Sequence, residues 1–182
     1  MRNIRLLFFC FLAVSFVMIN AQDFKYVGSK TCGMCHKKDN DGNQLKVWEE
    51  SAHSKAFETL KSDEAAAVMK KLGLTTKAYE TDKCLSCHTT GHGKPATAFD
   101  KKFKAEDGVQ CESCHGPGSE YKSMKVMKNK DDAVAKGLII YANDEAIKAQ
   151  CVTCHNSESP TFKEFKFAEM YAKIKHNKPE AK

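Results

Sequence analysis

Cys32-Gly33-Met34-Cys35-His36, Cys84-Leu85-Ser86-Cys87-His88, Cys111-Glu112-Ser113-Cys114-His115 and Cys151-Val152-Thr153-Cys154-His155 are four copies of one pattern, Cys-x-x-Cys-His. The pattern is the attachment signature of a c-type haem. Two thiols add to two vinyl groups, and the adjacent imidazole takes the iron as proximal ligand. The spacing is short because both thiols must reach neighbouring vinyls on one edge of a flat macrocycle. The histidine comes next so that its ring swings under the iron. Two rival readings exist for Cys-x-x-Cys: a four-cysteine zinc site and a redox-active dithiol. Neither requires a histidine after the second cysteine, yet all four copies have one. The motifs start 52, 27 and 40 residues apart. Those gaps do not pair the motifs for zinc, and they exclude a regular repeat array. Four haem c groups are the expected cofactors.

Eight of the nine cysteines lie in the motifs. The ninth, Cys10, falls within residues 1–21, which read as a secretory signal peptide. Arg2 and Arg5 form its positive end, Leu6–Ile19 its apolar run, and cleavage is expected after Ala21. The alternative is an uncleaved anchor, but the run falls short of the roughly 20 apolar residues a bilayer requires. No later segment is apolar enough to span, so no stable membrane insertion is expected. Export fits the motifs, because c-type haem is attached outside the bacterial cytoplasm, and the expected location is the periplasm.

Residues 22–182 then form a single tetrahaem domain of about 160 residues. At roughly 40 residues per haem, each cofactor cannot have a protein core of its own. Mean hydropathy is −0.51, so the haem faces must replace buried side chains. Both arginines lie in the signal, leaving 27 lysines against 23 acids, a net +4. The propionates of four haems (about −8 together) and the ferric irons in their dianionic porphyrins (about +4 together) bring the oxidised holoprotein near neutrality. Nucleic-acid binding is disfavoured, because base readout and buried phosphate contacts lean on arginine. Solvated lysines suit brief, salt-sensitive docking to redox partner proteins, and they also serve simply to solubilise the surface.

Periodicity predicts a helix over Gln44–Leu60, with Leu45, Trp48, Ala52, Ala56 and Leu60 on one face. A second helix, Ala65–Leu72, is capped by Ser62 or Asp63 and stopped by Gly73. The surroundings of the second motif, through Thr89–Gly93, read as loop. Gly116-Pro117-Gly118 makes a turn, Asn143 or Asp144 caps a helix entering the fourth motif, and Phe165–Lys175 reads as a last helix. Strand signals are weak. The expected fold is mainly α with long loops, a multihaem cytochrome c organised around four packed covalent haems.

Beyond His36, His88, His115 and His155, only His53, His92 and His176 remain. Four bis-histidine haems need four distal imidazoles, so at least one haem lacks one. That haem is either five-coordinate and open to a small molecule, or ligated by Met, Lys or Tyr. His53, on the face of the first helix, and His176, near the chain end, are the expected distal ligands. His92 follows His88 by four residues, too close to reach the far face of the same haem. It either ligates a neighbouring haem or lines a pocket.

Tyr26-Val27-Gly28 before the first motif, Trp48–Ala56 (WEESAHSKA), Gly108-Val109-Gln110 running into CESCHGPG, and Phe165–Met170 together resemble the tetrahaem cytochrome c554 family over nearly the whole mature chain. The resemblance implies a periplasmic electron carrier with closely stacked haems, three bis-histidine and the second five-coordinate. It also implies a donor resembling hydroxylamine oxidoreductase, and reaction with NO at the open haem. By the same resemblance His53 matches a distal ligand and His176 falls in the region of another. Two departures stand out. The family's third distal histidine is expected after the Gly-Pro-Gly turn, where Ser119–Lys125 contains none. His92 stands where a close relative has a non-ligating residue. If His92 does not ligate, two haems lack distal histidine, and Met124, Lys125 and Tyr121 are the candidates to fill one.

The expected function is therefore electron shuttling between redox partners. The alternative is a small haem reductase acting on NO or a related nitrogen oxide, with His92 as proton donor. A third reading is a haem sensor or a subunit of a larger complex, marked by stable co-purification with a partner.

Overall fold

The structure is a computed structural model that describes residues 24–176. The signal-peptide expectation for residues 1–21 lies outside the described residues. Within them run ten α-helices. They are α1 (Ser29–Gly33), α2 (Gln44–Glu50), α3 (Ala56–Thr59), α4 (Asp63–Lys71), α5 (Asp82–His88), α6 (Glu112–His115), α7 (Met124–Met127), α8 (Lys130–Ala135), α9 (Asp144–Cys151) and α10 (Phe167–Ala172). No strand occurs among the described residues. A single parallel bridge joins Tyr26 to Phe99. The mainly α reading with long loops holds.

The predicted 44–60 helix is broken in two. Ser51 leaves helical geometry, and its hydroxyl donates to the Trp48 carbonyl at 2.7 Å. The Ser54 hydroxyl donates to the carbonyls of Glu49 and Ser51. Serine side chains that bond nearby backbone offer the chain an alternative to helix, and here that alternative wins. The break turns residues 51–55 so that the His53 carbonyl accepts from Val109 N at 3.0 Å. α4 starts at Asp63, with the Ser62 hydroxyl accepting from Ala65 N, and Gly73 follows its end at φ +69°. The second motif, read as loop, lies within α5. Asn143 caps α9 through its side-chain oxygen. The last helix is shorter than predicted and leaves Phe165 outside it.

Two clusters organise the chain. One is apolar: Leu60, Met69 and Ala78 are buried together, with Ala65, Tyr79, Cys84 and Leu85 packed on them. It fastens α5 to α3 and α4. The other cluster is polar and centres on residues 108–118. Glu112 accepts from Val27 N, Gly28 N and Gly118 N at 2.7–3.0 Å. Gln110 accepts from Ser29 N and donates to the Lys104 carbonyl. Thr90 Oγ1 accepts from Gln110 N, and Trp48 Nε1 donates to the Val109 carbonyl. These contacts tie the chain around the first motif and the loop after the second to the third. Among the described residues the buried hydrophobic side chains are only Val27, Leu60, Met69, Ala78, Tyr121 and Ala133.

Candidate functional site

Each motif forms one helical turn. The N–H groups of His36, His115 and His155 donate to the carbonyls of Cys32, Cys111 and Cys151 at 2.9–3.1 Å, and the second motif lies within α5. Helical residues three and four apart share a face. Both thiols and the imidazole of each motif therefore point the same way, as a macrocycle tethered at two vinyls and ligated from below requires. None of the eight thiols is paired in a disulfide, so both in each motif are free to form thioethers.

The second requirement is an iron-ready imidazole. The His88 Nδ1 lies 2.7 Å from the Ala56 carbonyl, and the His115 Nδ1 lies 3.3 Å from the Ile139 carbonyl. A ring that donates its Nδ1–H to a carbonyl keeps Nε2 as the ligand atom and fixes its direction. Burial holds His53 and His115 below the ordinary histidine range, helped by His155 and His36 respectively. Both are thus neutral at pH 7, the form that binds metal.

The third requirement is a partner across the iron. A transition metal bonds an imidazole nitrogen at roughly 2.0 Å, so two imidazoles on opposite sides of one metal set their ring centroids roughly 6 Å apart. The His53 and His155 centroids are 6.1 Å apart, and those of His115 and His176 are 5.9 Å apart. Phe165 stacks on the His155 ring at 4.8 Å. Among the described residues, no three Cys, His, Asp or Glu side chains converge as a bare metal ion needs. Opposed pairs without clusters fit an iron already held by a macrocycle, and they argue against the zinc reading.

The motifs are themselves neighbours. Cys32 lies within hydrogen-bonding reach of Cys111, and Cys87 within reach of Cys154. Cys114 lies near Cys151. The spatial order of motifs is thus first, third, fourth, second. His53 follows the first motif in sequence but faces the fourth. His176 faces the third.

His92 does not join them. Its Nε2 lies 3.0 Å from Asp82 Oδ1, and no ring contact links it to a motif imidazole among the described residues. It lines an open cleft of about 290 Å³ with Thr89, Thr90, Phe99 and Phe103. Tyr121, a candidate substitute ligand, is buried with its hydroxyl donating to the Gly116 carbonyl at 2.6 Å and to His115 O at 3.2 Å. Met124 is 65% exposed. Glu112 escaped the sequence reading because it occupies a variable position of its motif. An acidic residue set just before Gly116-Pro117-Gly118 was the available signal.

The family described as cytochrome c554 and c-prime matches residues 31–116, which hold the first three motifs. Cytochrome c-554 of Nitrosomonas europaea is 32% identical over 144 residues, 74% of this chain. The match covers 59% of that relative's length. No solved structure matches the chain significantly. The helical turns that carry the motifs, the opposed imidazole pairs and these similarities agree: the chain belongs to the cytochrome c554 family, a family of c-type cytochromes with covalently bound haem c.

Proposed function

We propose that this chain is a periplasmic electron carrier with haem c on all four motifs, passing electrons between a donor and an acceptor protein. The observation that carries the reading is the setting of His53 opposite His155 and of His176 opposite His115, at separations that span one iron. When bound, haem c supplies reversible one-electron chemistry, its potential tuned by axial ligand, burial and hydrogen bonds. The chain's own part is to hold and orient. Cys32, Cys35, Cys84, Cys87, Cys111, Cys114, Cys151 and Cys154 tether the cofactors. His36, His88, His115 and His155 are the proximal ligands, with His53 and His176 distal. The Ala56 and Ile139 carbonyls fix two of the proximal rings. A six-coordinate iron changes oxidation state with little rearrangement, which suits transfer over catalysis. The neighbouring motifs keep the four redox centres in one connected series, and the lysine-rich surface suits brief docking with partners.

The test is a haem count followed by a redox titration of the exported holoprotein. Four haems per chain are expected, with reversible one-electron waves and fast exchange with a small redox protein that weakens as salt rises. Fewer than four haems, or no exchange, overturns the reading. The histidine shortage supports one alternative, an NO reductase, because at least one iron lacks a distal imidazole. Sustained NO consumption at the expense of an electron donor is its signature; binding without turnover favours the carrier.

A further inference from the structure

We infer that the first motif provides a second iron open to small ligands, in addition to the one the histidine count already requires. The inference rests on the four-haem reading. All seven histidines of the chain lie among residues 24–176, so each can be assigned. His53 is committed to His155 and His176 to His115. The last spare imidazole, His92, is turned to Asp82 at the start of α5. Among the described residues neither His36 nor His88 is in ring contact with another imidazole; His36 lies near His115 and His176, which already face each other.

Of the candidate substitutes, Tyr121 is engaged elsewhere, and Met124 and Lys125 are exposed. The buried Tyr121 hydroxyl shares its hydrogen between the Gly116 and His115 carbonyls, and losing it would strand the Gly116 carbonyl, since His115 O also accepts from Ile139 N. Met69 is packed between Leu60 and Ala78. Met34 lies within the first motif and is exposed. Met124 is on α7, which Ser123 caps, with its side chain in solvent. The ligands that fit such a site are small neutral diatomics that bond to ferrous iron, carbon monoxide and nitric oxide. Binding there would form one iron–ligand bond and leave the oxidation state unchanged.

The position of the two open sites gives the inference its consequence. In the spatial order first, third, fourth, second, the histidine-paired motifs occupy the middle and the unpaired ones the ends. With haem on all four motifs, each open iron would neighbour a histidine-paired one, so that ligands bound at either end would draw on one electron supply.

The reduced holoprotein is titrated with carbon monoxide while haem is counted independently as the pyridine haemochrome. Two carbon monoxide molecules per four haems are expected, and a ferric EPR spectrum in which high-spin iron accounts for half the total. His53→Ala and His176→Ala each raise the stoichiometry from two to three. His92→Ala and Met124→Ala leave it at two. A wild-type value of one or none shows a side chain on the first or second iron and overturns the inference. So does a rise on His92→Ala or Met124→Ala. A haem count below four overturns the underlying reading instead, and the separate haem measurement tells the two failures apart. The EPR ratio needs no variant and decides the matter if a histidine substitution prevents maturation.

Discussion

Glu112 is buried inside the third motif, with both carboxylate oxygens occupied by backbone N–H groups of Val27, Gly28 and Gly118. Burial pushes its carboxyl up, while those three donors pull it back. Among the described residues these donors have no other acceptor, so the carboxylate completes the fold of residues 24–31 onto the third motif. Glu112→Gln turns an amide N–H toward a backbone N–H and is expected to cost about 2–3 kcal/mol, read as a lower urea midpoint of the holoprotein with its haem count intact. Tyr121 is the second such residue. Burial raises its hydroxyl above the usual tyrosine value, so the unfolded chain ionises first as pH rises. Its stabilisation is therefore complete below about pH 10 and is lost progressively above it. Tyr121→Phe should cost about 1–3 kcal/mol at pH 7 and flatten the alkaline loss of stability; an unchanged alkaline slope would count against this account.

At the scale of elements, the turn between α2 and α3 carries His53, and its position is fixed by a glycine far along the chain. Gly108 has φ +77°, and a Cβ there would lie 2.6 Å from the His53 carbonyl and 3.3 Å from Ala56 N. Gly108→Ala therefore meets both a left-handed backbone and a backbone collision. It should displace the His53 turn, remove one low-spin signal from the ferric EPR spectrum and expose one more iron to carbon monoxide. Ser62→Ala, which removes only the cap of α4, should cost about 1 kcal/mol and leave both readouts unchanged. This turn also marks how far the sequence could be read. The motifs, the Ser62 and Asn143 caps and the Gly73 stop depend on residues within one turn of each other, and they were legible. Leu45, Trp48, Ala52, Ala56 and Leu60 do repeat at helical spacing, yet the helix breaks, because Ser51 and Ser54 capture local carbonyls and Val109 captures His53. The facing of His53 and His155 spans a hundred residues, which no local periodicity encodes. α5 was not legible because it is only seven residues long and runs straight into Thr89-Thr90-Gly91-His92-Gly93, whose composition reads as loop.

At the scale of the molecule, the chain has little apolar core of its own. Six buried hydrophobic side chains are few for 153 described residues, while Met34, Ile139, Ile140, Val152 and Phe162 remain exposed. Folding must then draw on the haem faces, whose apolar area replaces that of missing side chains. The two clusters make the motifs unequal in this respect. The second motif sits on α5, which the Leu60–Met69–Ala78 cluster holds through Cys84 and Leu85 without help from the polar hub. The third motif is part of the hub itself, through Gln110, Glu112 and the Ser113 hydroxyl 2.7 Å from Thr90 Oγ1. Cys84→Ala/Cys87→Ala should therefore yield an exported protein with three haems and most of its far-UV circular dichroism. Cys111→Ala/Cys114→Ala should leave a protease-sensitive chain with little helix, because the first motif and the loop after the second lose their common support with that haem. Comparable helix content in the two variants would mean that the hydrogen-bonded hub folds without its cofactor. In that case the polar network around Glu112, and not the haem, is the nucleus of the molecule.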